Sequence, residues 1–167
     1  MKYRTVLFCG AGVLSLCAGL TFAPVAVGAT TGQVRLTGSV PLLCELSVQQ
    51  EPGAIDIPDI SAGHTGRHIA TVTENCNSPS GYTVTVSAAN TSDHTGQFVD
   101  TVSNDAHPFT LSYNGIAVNP GGVVTDNPSV AVNVQKNVTI TYPEDPTLTG
   151  AVASTYEETL TFTISAK

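Results

Sequence analysis

Apolar and polar residues alternate one by one in several segments of this chain, and that period restricts the folds it can adopt. The alternation is clearest in Tyr82–Ala88, where Thr83, Thr85 and Ser87 separate the apolar residues. A period of two places the apolar side chains on one face of an extended strand. Because apolar residues do not recur at the three- and four-residue spacing of an amphipathic helix, the sequence predicts an all-β protein.

Turn signals divide the alternating segments into seven or so short strands. Asn114-Gly115 lies between two alternating segments and is typical of a two-residue hairpin. The other turns and loops are predicted at Ala62–Arg67, Asn77–Gly81, Asn90–Gln97, Asn119–Gly122 and Pro143–Gly150. The strands are predicted around Cys44–Val48, Ile69–Cys76, Tyr82–Ala88, Phe109–Tyr113, Ile116–Val118, Val130–Val134, Val138–Tyr142 and Thr159–Lys167. This arrangement favours an antiparallel β-sandwich of immunoglobulin-like type.

The first 29 residues read as a secretory signal peptide rather than as part of the fold. Met1–Arg4 is basic, Thr5–Phe22 is mostly apolar, and Val27–Ala29 offers small residues for cleavage. Cleavage after Ala29 would leave 138 of the 167 residues. No second long apolar segment follows, so we expect an exported protein without membrane insertion.

The charge of the remaining chain argues against polyanionic partners. Without Lys2 and Arg4, four of the six basic residues remain against 13 acidic ones, a formal difference of −9. Nucleic acids and anionic membrane surfaces are bound through basic surfaces. We therefore expect neither as a partner.

Two cysteines remain after cleavage, because Cys9 and Cys17 leave with the signal peptide. In an exported protein Cys44 and Cys76 are expected to form a disulfide, the alternative being two free thiols. Cys44 opens one predicted strand and Cys76 closes the next. These two ends are adjacent in an antiparallel pair, as a disulfide requires.

Two alternating segments near the ends of the chain need a partner sheet. Near the start, Val34, Leu36 and Val40 share a face with Gly38, and the C-terminal row consists of Leu160, Phe162, Ile164 and Ala166. The N-terminal segment either folds back onto its own domain or adds to the sheet of another molecule.

No motif indicates catalysis. His64, His68, His94 and His107 could form a metal site only if the fold brought them together, and solvated loop histidines are the alternative. The acidic pairs Asp56 and Asp59, Asp93 and Asp100, and Glu144 and Asp145 lack the spacing of a calcium loop. The chain has no Gly-x-Ser-x-Gly motif and no glycine-rich phosphate loop. We therefore expect no enzyme, no cofactor and no metal.

Taken together, these features resemble a chaperone–usher fimbrial subunit (pilin) over the whole region after the signal peptide. The resemblance rests on the segment Val34–Val40, on Cys44 at the start of the first strand and on Cys76 at the end of the second. It also rests on the turn leading into Tyr82–Val86 and on the alternating C-terminal row. The segment Ser154–Thr163 is similar to that of the spore-coat-U-like relatives, which include archaic pilins.

The resemblance implies an incomplete immunoglobulin-like sandwich that a donor strand from a neighbouring subunit completes. Residues 30–41 would be the donor extension and residues 42–167 the pilin domain. Val34, Leu36 and Val40 would enter the neighbour's groove, and Gly38 would allow close approach. A periplasmic chaperone would first pair with the row Leu160, Phe162, Ile164 and Ala166. An outer-membrane usher would then assemble neighbouring copies or related subunits into an adhesive fimbria on the bacterial surface.

A second interpretation is a secreted binding module, for example for carbohydrate, whose N-terminal strand completes its own sandwich. The chain has no tryptophan and five tyrosines. Aromatic side chains are common in ligand pockets, so this composition counts against the second interpretation.

Overall fold

The computed structural model describes residues 30–92, 95–144 and 155–167. The chain separates into two compact units, Met1–Gly38 and Ser39–Lys167. Of the first unit only residues 30–38 are described, and no strand is assigned to them. The predicted signal peptide lies outside the described residues.

The described part of the second unit is all β, as the alternation predicts. Strands, turns and bends occur there, and within this part there is no helix that is long and apolar enough to cross a membrane. The strands are β1 (Cys44–Gln50), β2 (His64–Cys76), β3 (Tyr82–Ala88), β4 (Thr91–Ser92), β5 (Thr95–Asp100), β6 (Ala106–Tyr113), β7 (Ile116–Val118), β8 (Val123–Asn127), β9 (Ala131–Tyr142), β10 (Tyr156–Glu157) and β11 (Leu160–Ala166).

These strands form two antiparallel sheets. The larger sheet has the order β1-β2-β9-β6-β5-β10, with β4 paired to β5 and β7 paired to β6. The smaller sheet has the order β11-β3-β8. Consequently β1 lies at one edge of the larger sheet, and β11 lies at one edge of the smaller sheet.

The core draws on the inward rows of both sheets. Val86 of β3 packs in one cluster with Val72 of β2, Phe109 of β6 and Val138 of β9. Tyr82 and Val84, also on the inward face of β3, are likewise almost fully buried. The alternation of β3, the clearest in the sequence, therefore corresponds to its burial.

The predicted hairpin and disulfide are confirmed. Asn114 and Gly115 have φ values of 51° and 80°, and Tyr113 pairs with Ile116 across them. Positive φ at both central residues is what a type I′ turn requires. Cys44 lies directly opposite Cys76 in the β1–β2 ladder, and the two are joined by a disulfide.

Two predicted loops are wrong, because they contain strands. β2 begins at His64, within the predicted loop Ala62–Arg67, and β4 and β5 occupy most of the predicted loop Asn90–Gln97. β8 was not predicted either. Main-chain pairing with β9, β6 and β3 holds these segments in strands. Their polar side chains gave no period-two signal.

The predicted strands Val130–Val134 and Val138–Tyr142 are one continuous strand, β9, which begins one residue later than predicted, at Ala131. An irregularity in its pairing with β2 lies between Glu74 and Cys76. There Asn133 adopts a φ of 51° and donates its N–H to Asn75 Oδ1 at 2.6 Å. The polar residues Gln135–Asn137, which separate the two predicted strands, pair in regular register with Thr71–Thr73 of β2, so the strand continues through them.

Candidate functional site

The apolar row of β11 is only half-buried, although it lies directly beside a fully buried row. Phe162 opposes Val86 in the ladder, and Ile164 opposes Val84. Val84 and Val86 are 0% and 1% exposed. Phe162 and Ile164 are partly exposed, as is Leu160, whereas Ala166 is exposed. The inward side chains of the edge strand β11 are therefore much less buried than those of its neighbour β3.

The second edge of β11 is open within the described chain. β3 is its hydrogen-bonded neighbour, and no described strand pairs with its other side. β1 stands in the same position at the edge of the larger sheet, with β2 as its neighbour. Such an edge presents unpaired N–H and C=O groups to which a further strand can add.

β1 and β11 lie near each other without pairing. Leu46 of β1 and Ile164 of β11 both pack against the core cluster around Tyr82 and Val84. Val48, which shares the inward row of β1 with Leu46, is 45% exposed. The incompletely buried apolar residues of the two edge strands thus border the same part of the core. We call these strands, β1 and β11, the edge pair.

β11 is fixed to β3 along its whole length. Ala89 N–H donates to Thr159 C=O at one end, and Lys167 N–H donates to Gly81 C=O at the other, both at 3.0 Å. Ser78 Oγ donates to Lys167 C=O at 3.1 Å. The Lys167 ammonium also pairs with the Asp126 carboxylate. The inner side of β11 is therefore fully engaged, and its apolar row is held in place.

Gly81, which turns the chain into β3, has no room for a side chain. Its φ is 85°, and an added Cβ would collide with the main-chain carbonyl oxygen of Asn127. Both constraints require glycine at this position. The turn thereby places Gly81 C=O where Lys167 N–H can bond to it.

A buried carboxylate network lies beneath the edge pair. Glu74 of β2 is 0% exposed. Its Oε1 accepts hydrogen bonds from Tyr113 Oη at 2.7 Å and Thr125 Oγ1 at 2.6 Å, and its Oε2 accepts one from Tyr82 Oη at 2.8 Å. Since β2 and β6 belong to the larger sheet and β3 and β8 to the smaller, one carboxylate links both sheets.

The network also reaches the C-terminal row. The ring of Tyr113 packs against that of Phe162, with centroids 5.9 Å apart. Burial raises the pKa of Tyr113, and the hydrogen bond to Glu74 raises it further. The pKa of Tyr82 is raised by the same two causes. Both phenols therefore stay protonated and continue to donate to Glu74 at neutral pH.

Sequence reasoning missed Glu74 because a glutamate between polar neighbours gave no apolar signal. Its position did carry information. Val72, Glu74 and Cys76 occupy alternate places in one strand, so Glu74 points to the same side as two core residues. Its place in this alternating row could have identified Glu74 as a buried carboxylate.

The residues predicted as the donor row are exposed. Val34, Leu36 and Val40 are 87%, 90% and 85% exposed, and no strand is assigned between residues 30 and 43. An added Cβ on Gly38 would meet nothing within 4 Å among the described residues. Among the described residues, no contact therefore requires glycine at this position.

Two of the described histidines lie near an acidic side chain, each near a different one. His68 is 3.7 Å from a Glu51 carboxylate oxygen, and His107 is 3.6 Å from one of Asp105. His64 lies at the start of β2, whereas Asp93, His94 and Asp145 lie outside the described residues. Among the described residues, no three His, Cys, Asp or Glu side chains are grouped so as to hold a metal ion.

A small pocket of about 180 Å³ lies at the end of β9. Its lining is mostly apolar and aromatic, with one imidazole and one carboxylate. The lining residues are Ile60, Phe98, His107, Pro108, Tyr142, Pro143 and Glu144.

The sequence matches no protein-family model, and a search of curated proteins finds no match.

Proposed function

We propose that this protein is a structural fimbrial subunit that polymerises by donor-strand exchange. Its two sheets would form an incomplete immunoglobulin-like sandwich, and the N-terminal extension of a neighbouring copy would complete it. The observation that carries the proposal is the half-buried apolar row of β11, fixed on one side and open on the other.

The open edge fits an added strand better than it fits solvent. A soluble domain usually protects an edge strand with charges, prolines or a covering loop. The inward row of β11 instead carries Leu160, Phe162 and Ile164 beside its free main-chain groups. A strand laid along this edge would pair those groups and cover the row.

The N-terminal extension has the properties of that strand. Its apolar residues alternate and are exposed, as a donor that leaves its own domain requires. Burying Val34, Leu36 and Val40 is worth on the order of 5–9 kcal/mol before entropic costs. Gly38, which no contact among the described residues requires to be glycine, would let the two backbones approach closely.

The same edge accounts for the assembly pathway that the family resemblance implies. Before polymerisation, a periplasmic chaperone would cover β11 and prevent non-productive pairing. At an outer-membrane usher, the extension of the next subunit would replace the chaperone. Head-to-tail contacts that do not close produce a filament, here a fimbria on the cell surface with a role in adhesion.

The proposal is tested by placing a charge on each face of the extension. Leu36→Asp puts a carboxylate into the apolar row, whereas Thr37→Asp puts the same charge on the opposite face. Because an ionised carboxylate is costly to bury, we expect Leu36→Asp to abolish surface fibres and Thr37→Asp to retain them. Electron microscopy of cells making each variant gives the readout.

Deletion of residues 30–40 provides the complementary test. The truncated chain keeps the edge pair but has no donor, so we expect it to be secreted to the periplasm and to form no fibres of its own. Normal fibres from this variant, or from Leu36→Asp, would refute the proposal.

The pocket near Phe98 and Tyr142 supports a second candidate function, a self-complemented carbohydrate-binding module. Aromatic faces with a nearby imidazole and carboxylate suit a sugar ring. This alternative predicts a stable monomer without a chaperone, whose melting temperature rises with a bound sugar. Size-exclusion chromatography and a thermal-shift screen of monosaccharides separate it from the fimbrial proposal.

A further inference from the structure

The segment between the extension and β1 is held by one side chain. Asn77, which directly follows the disulfide-bonded Cys76, accepts a hydrogen bond at Oδ1 from Leu43 N–H at 2.7 Å. Its Nδ2 donates to Pro41 C=O at 2.8 Å. Its main-chain N–H donates to Leu43 C=O at 3.0 Å. We call this set of contacts the Asn77 clamp.

The clamp lies at the end of the β1–β2 ladder. The last pair of that ladder is Cys44 with Cys76, so the next pair would be Leu43 with Asn77. In an antiparallel ladder, such a pair exchanges two main-chain hydrogen bonds. Here one of them forms, and the Leu43 N–H goes to the Asn77 side chain instead. β1 accordingly begins at Cys44, with residues 41–43 outside the sheet.

Asparagine is the residue that this position needs. The clamp requires an acceptor for an N–H and a donor for a C=O on one short side chain, and a carboxamide provides both. An aspartate would keep the acceptor for Leu43 but would turn a carboxylate oxygen towards Pro41 C=O. Pro41 has no N–H, so its C=O is the one main-chain group it can offer to a ladder.

We propose that Asn77 is the positioning residue that keeps the N-terminal extension free to act as a donor. This inference rests on the fimbrial function proposed above. By ending the ladder at Cys44, the clamp prevents residues 30–40 from continuing β1 along its own sheet. The extension of each subunit then stays available to a neighbour, while the acceptor edge at β11 does not depend on the clamp.

The test compares Asn77→Ala and Asn77→Asp with Asn75→Ala. The control removes a similar bond, the one from Asn133 N–H to Asn75 Oδ1 at 2.6 Å, which joins β9 to β2 and does not involve residues 41–43. All variants are made as the mature chain 30–167 with the disulfide intact. Three quantities are measured: amide hydrogen exchange at Leu43, binding of a synthetic peptide of residues 30–41, and the rate of fibre formation.

Loss of the Leu43 hydrogen bond in Asn77→Ala should speed exchange at that amide by about tenfold, and Asn75→Ala should leave it unchanged. Peptide binding should stay at the wild-type level in all three variants, because the acceptor edge is intact. Fibre formation should slow several-fold in both Asn77 variants and remain normal in Asn75→Ala.

The outcomes separate the two proposals. If the wild-type chain binds the peptide but either Asn77 variant assembles at the rate of Asn75→Ala, the positioning role is refuted and the fimbrial function stands. If the wild-type chain neither binds the peptide nor needs residues 30–40 to assemble, the fimbrial function is refuted, and the role of Asn77 falls with it.

Discussion

Glu74 is the residue on which the two sheets converge. A carboxylate removed from water is costly unless hydrogen bonds replace its hydration. Hydroxyl groups of Tyr82, Tyr113 and Thr125 provide three such bonds. Each of them holds a different strand to β2. The network therefore fixes the spacing of both sheets beneath the row that carries Phe162.

The buried phenols make the free energy of unfolding vary with pH in the alkaline range. The pKa of Tyr113 is higher in the folded chain than the value of about 10 expected for an unfolded one. Its contribution is therefore complete below about pH 10 and is lost as the pH rises further. We expect the free energy of unfolding to fall above that pH, by up to about 1.4 kcal/mol per pH unit for each such tyrosine.

Urea unfolding between pH 7 and pH 11 measures this dependence, and Tyr113→Phe identifies its source. At pH 7 the variant should lose about 1–3 kcal/mol, because one donor to Glu74 is gone. Above pH 10 its decline should be shallower than that of the wild-type protein, because one shifted phenol is missing. Parallel curves for the two proteins would contradict this assignment.

At the level of the strand, the phenylalanine of β11 is less buried than the phenylalanine of β6. Phe109 of β6 is 2% exposed, whereas Phe162 of β11 is half-buried. Replacing a fully buried phenylalanine by alanine costs about 3–5 kcal/mol. In the isolated chain we expect Phe109→Ala to cost that much, and Phe162→Ala to cost less than half as much.

Urea unfolding of the two variants compares these costs directly. In assembled fibres the cost of Phe162→Ala should be larger, because a donor strand would cover Phe162. Fibres of this variant should therefore dissociate at a clearly lower denaturant concentration than wild-type fibres. Equal costs for the two variants in the isolated chain would mean that the edge of β11 is already covered.

The strands that could be predicted are those whose alternation reflects burial. β3 and β11 were predicted because period two follows from one face packing on the core, and Cys44 and Cys76 were paired because their strand ends meet. β4 and β5 could not be predicted, since main-chain pairing holds them and their side chains do not alternate. The Asn77 clamp was missed for a similar reason: its partners are main-chain groups 34 and 36 residues away.

For the whole molecule, the sheet edges at β1 and β11 and the disulfide form one arrangement. β1 has a single hydrogen-bonded neighbour and a poorly buried inward row. Pairing and packing alone therefore hold β1 only weakly in the sheet. The disulfide ties its first residue to β2 at the point where the extension joins the domain. An edge strand can then remain in place although only one described strand pairs with it.

Removing the disulfide should therefore affect both stability and the edge. Cys44 and Cys76 are 32 positions apart, which corresponds to about 3–4 kcal/mol in the loop-entropy model. We expect the double variant Cys44→Ala/Cys76→Ala to lose about that much free energy of unfolding. Amide exchange should rise most in β1 and least in β3, because β1 has one neighbouring strand and β3 has two. The wild-type protein treated with reductant should behave like the variant if the covalent bond is responsible, and a uniform rise in exchange across all strands would show that the disulfide does not act at this edge.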